Sequence, residues 1–398
     1  MGIDFPADFR WGTATSAHQV EGGNVNSDWW DFEHAPATAA REPSGDAIDH
    51  YHRYAGDFAL LAALGHNAHR LSVEWARIEP APGEFSRAAL DHYRRVLTAL
   101  AGTGMTAFVT LHHFTLPRWF AAAGGWLAPD AVDTFARYCR RVTAELGDLM
   151  PYVCTINEPQ MVALHGYLEG YHPPGITNAI LWKRAGSTLL AAHHAAVRAV
   201  REASPRSRVG LAVNLPLLAP IRDDAACHAF HRLLRFEIVD RYLDGLTGPD
   251  RGDWLGVQYY RQQWVDPASP TLFADPPDGF ARTQMGWAVY PDGLRQVLHR
   301  AAETGLPLFV TENGIATEDD TERVEYLHTH LAALAQARAE GVDVRGYLHW
   351  SAFDNFEWSE GYRPRFGLIA VDRANDFARI PKPSAHAFAK IASTGRLI

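Results

Sequence analysis

The chain has 398 residues, 47% of them hydrophobic and 21% charged, and a formal net charge of −9. That is enough apolar residue for a large buried core, and the acidic balance gives no electrostatic basis for binding nucleic acid or an anionic membrane surface. Three scattered cysteines (Cys139, Cys154, Cys227) suggest no disulfide framework, no apolar run approaches a membrane span, and the first residues lack the basic start and apolar core of a signal peptide, so a cytoplasmic protein is the expectation.

Along the chain, short apolar runs alternate with amphipathic stretches. Strands are predicted over 10–17, 69–75, 106–113, 152–157, 208–214, 254–260, 306–311 and 344–350. Between them, Leu90, Tyr93, Leu97 and Leu100 recur at helical spacing, as do Val132, Phe135, Cys139, Val142 and Leu146. Gly65, Gly104, Gly305 and Gly341 fall where helices should end before the next strand. Strand, helix and glycine in repetition indicate βα units around a parallel sheet, either an open doubly wound sheet or a closed barrel. The count of eight and the absence of a Gly-x-Gly-x-x-Gly after the first strand favour a single (β/α)8 TIM barrel, class α/β, over residues 1–398. In a barrel the C-terminal ends of all strands meet at one mouth. Polar residues collect at those ends: Gln19, Arg70, His113, Asn157, Glu158, Tyr260, Glu312 and Glu357. Two long segments, 160–178 and 261–290, are expected to form the rim.

The seventh strand runs through Leu308-Phe309-Val310 and stops on Thr311-Glu312-Asn313-Gly314. The fourth closes on Thr155-Ile156-Asn157-Glu158-Pro159. Taken alone, a strand-end glutamate is as consistent with a structural ion pair as with catalysis. Two carboxylates across one cavity suit glycosidic bond cleavage, in which one donates a proton to the leaving oxygen and the other attacks or activates water. Burial and the partner's charge both keep one of them protonated. His112 and His113 are adjacent, so they point to opposite faces of a strand and are unsuited to sharing a metal ion. His193 and His194 are expected to be surface or packing residues, and Cys154 a small buried hydrophobe.

With these two motifs the chain resembles the family 1 glycoside hydrolases, the β-glucosidase family. The similarity extends over nearly the whole sequence: Phe9-Arg10-Trp11-Gly12 through Gly22, Arg70-Leu71-Ser72-Val73-Glu74-Trp75, Gly286-Trp287 with Tyr290-Pro291, Trp350 through Trp358, Arg365-Phe366-Gly367-Leu368, and Pro381-Lys382-Pro383-Ser384. The resemblance implies a retaining β-glycosidase acting on β-D-glucosides and related glycones, with Glu158 as acid/base and Glu312 as nucleophile. It implies Arg70 and Tyr260 beside the nucleophile and Asn157 at the sugar 2-hydroxyl. Gln19, His113, Glu357 and Trp358 would meet the outer hydroxyls, with Trp350 as aromatic floor and Phe366 among the substrate-binding residues. No metal or organic cofactor is implied, and the partner is a small β-glycoside or oligosaccharide.

The arginine beside the nucleophile is expected to lower its pKa. Glu357 stands where phospho-sugar relatives carry a small hydroxyl residue, which argues for an unphosphorylated glycone. Two positions depart from the family pattern. Phe114 replaces a tryptophan that contacts the sugar, and Gln258 replaces an asparagine. Gln258, one methylene longer, is expected to crowd the hydrogen bonds around Asn157. The segment between the fifth and sixth strands is short, which implies a more open leaving-group side. Three rivals stand beside the hydrolase: a transglycosidase using the same intermediate, a non-catalytic sugar-binding barrel, which loss of either glutamate would mark, and a metal-dependent barrel hydrolase, for which no ligand set is visible.

Overall fold

Eight strands close on themselves with every neighbouring pair parallel, in a computed structural model that describes residues 3–397. They are β1 (Arg10–Ala14), β2 (Ala68–Ser72), β3 (Thr106–His112), β4 (Tyr152–Asn157), β5 (Arg208–Asn214), β6 (Trp254–Gln258), β7 (Leu308–Glu312) and β8 (Val344–Trp350). A long helix follows each in turn: α1 (His50–Ala63), α2 (Arg87–Gly102), α3 (Ala131–Leu146), α4 (Ala179–Ala203), α5 (Ala225–Arg235), α6 (Pro291–Ala302), α7 (Asp320–Ala339) and α8 (Pro383–Thr394). The (β/α)8 barrel expected from the strand count is the fold observed.

The helices form where the apolar spacing predicts. On α2, Leu90, Tyr93, Leu97 and Leu100 are buried, and Ser86 caps the first turn by accepting from the Ala89 amide at 3.2 Å. On α3, Phe135, Cys139, Val142 and Leu146 are buried and Val132 is half-buried. The four glycines expected to end helices all adopt left-handed φ, from 69° to 100°.

Several strands end sooner than the apolar runs imply. The first stops at Ala14 because residues Ala17–Val20 turn into a short helix, and the second at Ser72 because Trp75–Ile78 do the same. The sixth stops at Gln258, and the Tyr259 amide just past it still donates to the Glu312 carbonyl at 3.1 Å. The seventh begins at Leu308 and runs on through Glu312.

Inside the barrel the lower layer is apolar. Seven strands contribute one residue each: Ala68, Phe108, Cys154, Ala212, Trp254, Phe309 and Leu348. Phe108 stacks on Tyr152 at 4.4 Å and meets the edges of Trp254 and Phe309 at 5.7 and 5.1 Å. The indole of Trp254 fits only because β5 carries Gly210 beside it; a Cβ there would lie 2.4 Å from the ring. Cys154 is thus a small buried core residue. Among the described residues no helix is long and apolar enough to cross a membrane.

The rim segments are more ordered than plain loops. Residues 160–178 continue the helix Pro159–Leu164 into a π-helical turn at His165–Glu169. Within 261–290, strand Gln262–Val265 pairs with Leu217–Pro220 and Phe273–Ala274 in a small sheet.

Candidate active site

Two or three residues above the apolar layer, the same strands carry polar and charged side chains. Arg70 is fully buried in the middle of β2, and its guanidinium is divided between two partners. One terminal nitrogen donates to Glu312 Oε1 and the other to Asn157 Oδ1, the latter at 2.5 Å. Tyr260 Oη donates to the second oxygen of Glu312 at 2.6 Å. Glu312 therefore has both oxygens held in a buried, charge-assisted arrangement.

Glu158 has a sparser environment. Asn214 Nδ2 donates to its Oε1 at 2.9 Å, the one side-chain hydrogen bond it makes among the described residues. Its backbone sits in the left-handed region at φ 46°, followed by Pro159 at the first position of the helix Pro159–Leu164. A non-glycine residue held there costs of order 1–3 kcal/mol, which the surrounding helix start and the bond from its amide to the Ala212 carbonyl (2.8 Å) must offset. Phe114 and Trp358, also on the cavity wall, share this conformation at φ 71° and 48°.

The two glutamates face one cavity of about 410 Å³. Its wall includes His113, Asn157, Trp350, Glu357, Trp358 and Phe366, so most of the residues expected to touch substrate are brought together there. Gln19 and Arg70 stand behind that wall. Gln19 is completely buried, takes the Ser16 hydroxyl hydrogen at 2.6 Å, and directs its amide to the Phe356 carbonyl (2.8 Å) and to Glu357 Oε2 (3.4 Å). Both rim segments reach the cavity, through His165 and Tyr171 from one and Arg261 and Trp287 from the other. Phe114 lies against Trp358 at 5.0 Å and brings no polar donor to its part of the wall.

Asn157 is the junction of the site. Its Oδ1 accepts from Arg70 and also from Gln258 Nε2 at 2.8 Å. That fixes Nδ2 as a donor to His113 Nε2 at 3.1 Å, which leaves the His113 proton on Nδ1. Gln258 does not crowd this network, as its extra methylene had implied. It enters at ordinary hydrogen-bond length, because β6 presents it level with Glu312 across the register shift. His112 points the other way, between Trp126 and Phe135 under the helices, so the two adjacent histidines do face apart. His193 is a packing residue: it is buried and bonded to the Thr155 hydroxyl at 2.7 Å. Among the described residues no cluster of three or more His, Cys, Asp or Glu could hold a metal ion.

Burial and local charge separate the titrations. Burial first, and then the Glu312 charge, push Glu158 well above the ordinary carboxylate range, against the Asn214 hydrogen bond. Burial raises Glu312 as well, contrary to the lowered value expected beside an arginine; the Arg70 charge and the Tyr260 hydroxyl pull it back. A proton shared by this pair therefore rests on Glu158. Burial and then Glu312 raise Glu357 to about 8. Burial and the Arg70 charge hold His113 neutral, and burial with the Glu312 charge keeps Tyr260 a phenol that donates.

Gly314 completes the Thr-Glu-Asn-Gly turn for a steric reason. A Cβ on it would fall 1.7 Å from the Trp350 carbonyl oxygen, so the turn packs against the end of β8 only without a side chain. The motif reading missed Asn214, which is polar and closes β5, and so carries the same strand-end mark as the others. It also gave no role to Arg261, His165 or Tyr171, which line the cavity from the rim.

Comparison with known proteins agrees with this geometry. The model of glycosyl hydrolase family 1 matches residues 1–247 and 250–396. Beta-glucosidase A of Thermotoga maritima is 33% identical over 440 residues, covering 99% of this chain and 98% of that one. The bifunctional beta-D-glucosidase/beta-D-fucosidase of Bifidobacterium breve is 35% identical, covering 94% and 95%. Among solved structures, the beta-glycosidase from Pyrococcus horikoshii superposes with a TM-score of 0.93 at 36% identity, over 100% of this chain and 97% of that one.

Proposed function

The chain belongs to glycosyl hydrolase family 1, and from that premise we propose that it is a retaining enzyme in which Glu312 is the nucleophile and Glu158 the acid/base, residues 1–398 acting as one catalytic domain. Its activity class is β-glycosidase, cleaving O-glycosyl bonds. The observation that carries the assignment of roles is the asymmetry of the two carboxylates. Glu312 has each oxygen held by a donor, from Arg70 and Tyr260, and so is the one of the pair that gives up its proton and is aimed. Glu158 has one amide donor and a strongly raised pKa, which keeps its proton available.

In the first step a Glu312 oxygen bonds to the anomeric carbon as the bond to the glycosidic oxygen breaks, and Glu158 delivers its proton to that oxygen. In the second, Glu158 takes a proton from water, the water oxygen bonds to the anomeric carbon, and the bond to Glu312 breaks. Two inversions leave the configuration retained. Asn157, fixed by Arg70 and Gln258, would meet the 2-hydroxyl, whose hydrogen bonds strengthen in the transition state. Trp350 would lie under the ring, with Phe366 beside it. His113, Trp358 and the Gln19–Glu357 pair would meet the outer hydroxyls. Glu357 pairs with no cation among the described residues, which fits an uncharged glycone; β-D-glucosides are the proposed substrates, and β-fucosides follow from the Bifidobacterium relative.

Azide and product stereochemistry test the two roles against each other. Glu312→Gly should abolish hydrolysis, and azide entering the vacated space should give the α-glycosyl azide in one displacement. Glu158→Ala should still form the glycosyl-enzyme from an activated aryl glucoside, and azide should then give the β-glycosyl azide after two. The opposite pairing of products would exchange the assignments.

A further inference from the structure

One cation on the cavity wall has no part in the chemistry above. Arg261 follows Tyr260 directly, and its guanidinium lies over the Trp287 ring, 4.4 Å from the centroid. Its Nε donates to Gln263 Oε1 at 3.0 Å, its one side-chain hydrogen bond among the described residues, so both terminal nitrogens are uncommitted. The placement is built by the backbone. The Leu217 amide donates to the Arg261 carbonyl at 3.2 Å, and Gln262 forms a bridge to Ala288, next to Trp287. A planar fork stacked on an indole is pre-organised for a planar anion such as carboxylate.

No carboxylate is hydrogen-bonded to it among the described residues. The acidic groups that act on it are the Tyr171 phenol, Glu169 and Glu158. Glu169 is bonded to His165 at 2.6 Å, as is the Tyr171 hydroxyl, and Glu158 holds its proton. Burial lowers the Arg261 pKa, outweighing the neighbouring acidic groups, yet the group starts far too basic to lose its charge near neutrality. The other cation of the site, Arg70, has its terminal nitrogens on Glu312 and Asn157, and burial keeps His113 and His172 neutral.

The position also fixes which part of a substrate it meets. Glu158 protonates the departing oxygen, so the leaving group lies on its side of the cavity. Asn214, which holds Glu158, leads within three residues into Leu217–Pro220, the strand on which Arg261 is paired. We propose that Arg261, presented by Trp287, is a specificity-determining residue that selects glycosides whose leaving group carries a carboxylate. This rests on the glycosidase reading and on Glu158 as its acid.

The test compares 4-carboxyphenyl β-D-glucoside with its neutral isostere, 4-carbamoylphenyl β-D-glucoside, as a ratio of kcat/KM within each enzyme, so that a general loss of activity cancels. The ratio should fall by about 10- to 100-fold from wild type to Arg261→Gln, the range of a hydrogen-bonded charge pair. Arg261→Lys should keep part of it, having the charge without the fork. In the wild-type enzyme 4-hydroxybenzoate should inhibit more strongly than 4-hydroxybenzamide, a comparison that needs no variant. An unchanged ratio in Arg261→Gln, with equal inhibition by the two phenols, overturns the Arg261 assignment alone. Failure of the wild type to cleave either glucoside overturns the glycosidase reading and this inference with it.

Discussion

The floor and the mouth of the barrel are built from the same strands, and a step of two or three residues separates them. Ala68 lies in the apolar floor and Arg70 in the mouth; Phe309 and Glu312 stand in the same relation, as do Cys154 and Asn157. The floor closes the barrel to water from below, so the charges above it sit in a medium where desolvation is strong and each hydrogen bond counts for more. That is why two carboxylates of the same residue type are driven to different protonation states by their few neighbours. The floor supplies the medium and the mouth supplies the chemistry, and substitutions should separate the two.

The largest separation is expected from Glu312→Gln. It should lower kcat/KM on an aryl β-glucoside by about a million-fold, the scale of removing a covalent nucleophile, while circular dichroism still reports the fold. The Glu312 charge is the second cause raising Glu158, so the Glu158 carboxyl should titrate lower in this variant, as read from its infrared band. If Glu312→Gln lost its fold, the mouth would be part of the scaffold and the contrast would fail.

Trp254→Ala is the converse. It empties the centre of the floor and should destabilise the protein by about 3–5 kcal/mol in denaturant unfolding, with KM for the same glucoside little changed. A large change in KM with intact stability would show that the floor shapes the sugar site directly.

Glu357 sharpens the contrast through pH. Its folded pKa of about 8 lies above the ordinary value of 4.5, so its contribution to stability is fully present below about 4.5 and is lost as pH rises to 8. Glu357→Gln should therefore gain on the wild type by about 2–4 kcal/mol in unfolding free energy between pH 4.5 and 8.5. A stability difference constant over that range would place this carboxyl in a wetter environment than its burial implies.

The smallest effect concerns Gln258. Shortened to asparagine, it should lose its reach to Asn157 and weaken transition-state binding of simple β-glucosides by about 1 kcal/mol, roughly fivefold in kcat/KM. Improved activity in Gln258→Asn would restore the crowding expected from side-chain length alone.

Much of this molecule is legible in the sequence because its physics is local. Short apolar runs, helical spacing and terminal glycines mark the βα units, and a closed parallel barrel gathers every strand end at one mouth. The two glutamate motifs, and the order of motifs along the chain, point to the reaction class.

Other features depended on contacts between residues far apart in the chain. Strict alternation from Phe309 and Cys154, both inward, would turn Glu312 and Asn157 away from the barrel interior. One extra residue in β7 relative to β6, between Val310 and Glu312, and one in β4 relative to β5, between Cys154 and Asn157, reverse that parity and aim both side chains inward. A bulge is a property of a strand against its neighbour, so no single run of residues declares it. Likewise, Gln258 had a length but no partner until β4 and β6 closed around Asn157, and Arg261 gained its place over Trp287 only through the Gln262–Ala288 bridge. Residue type and strand-end position are written in the chain; register, and with it the direction in which each functional side chain points, is decided by pairing between strands.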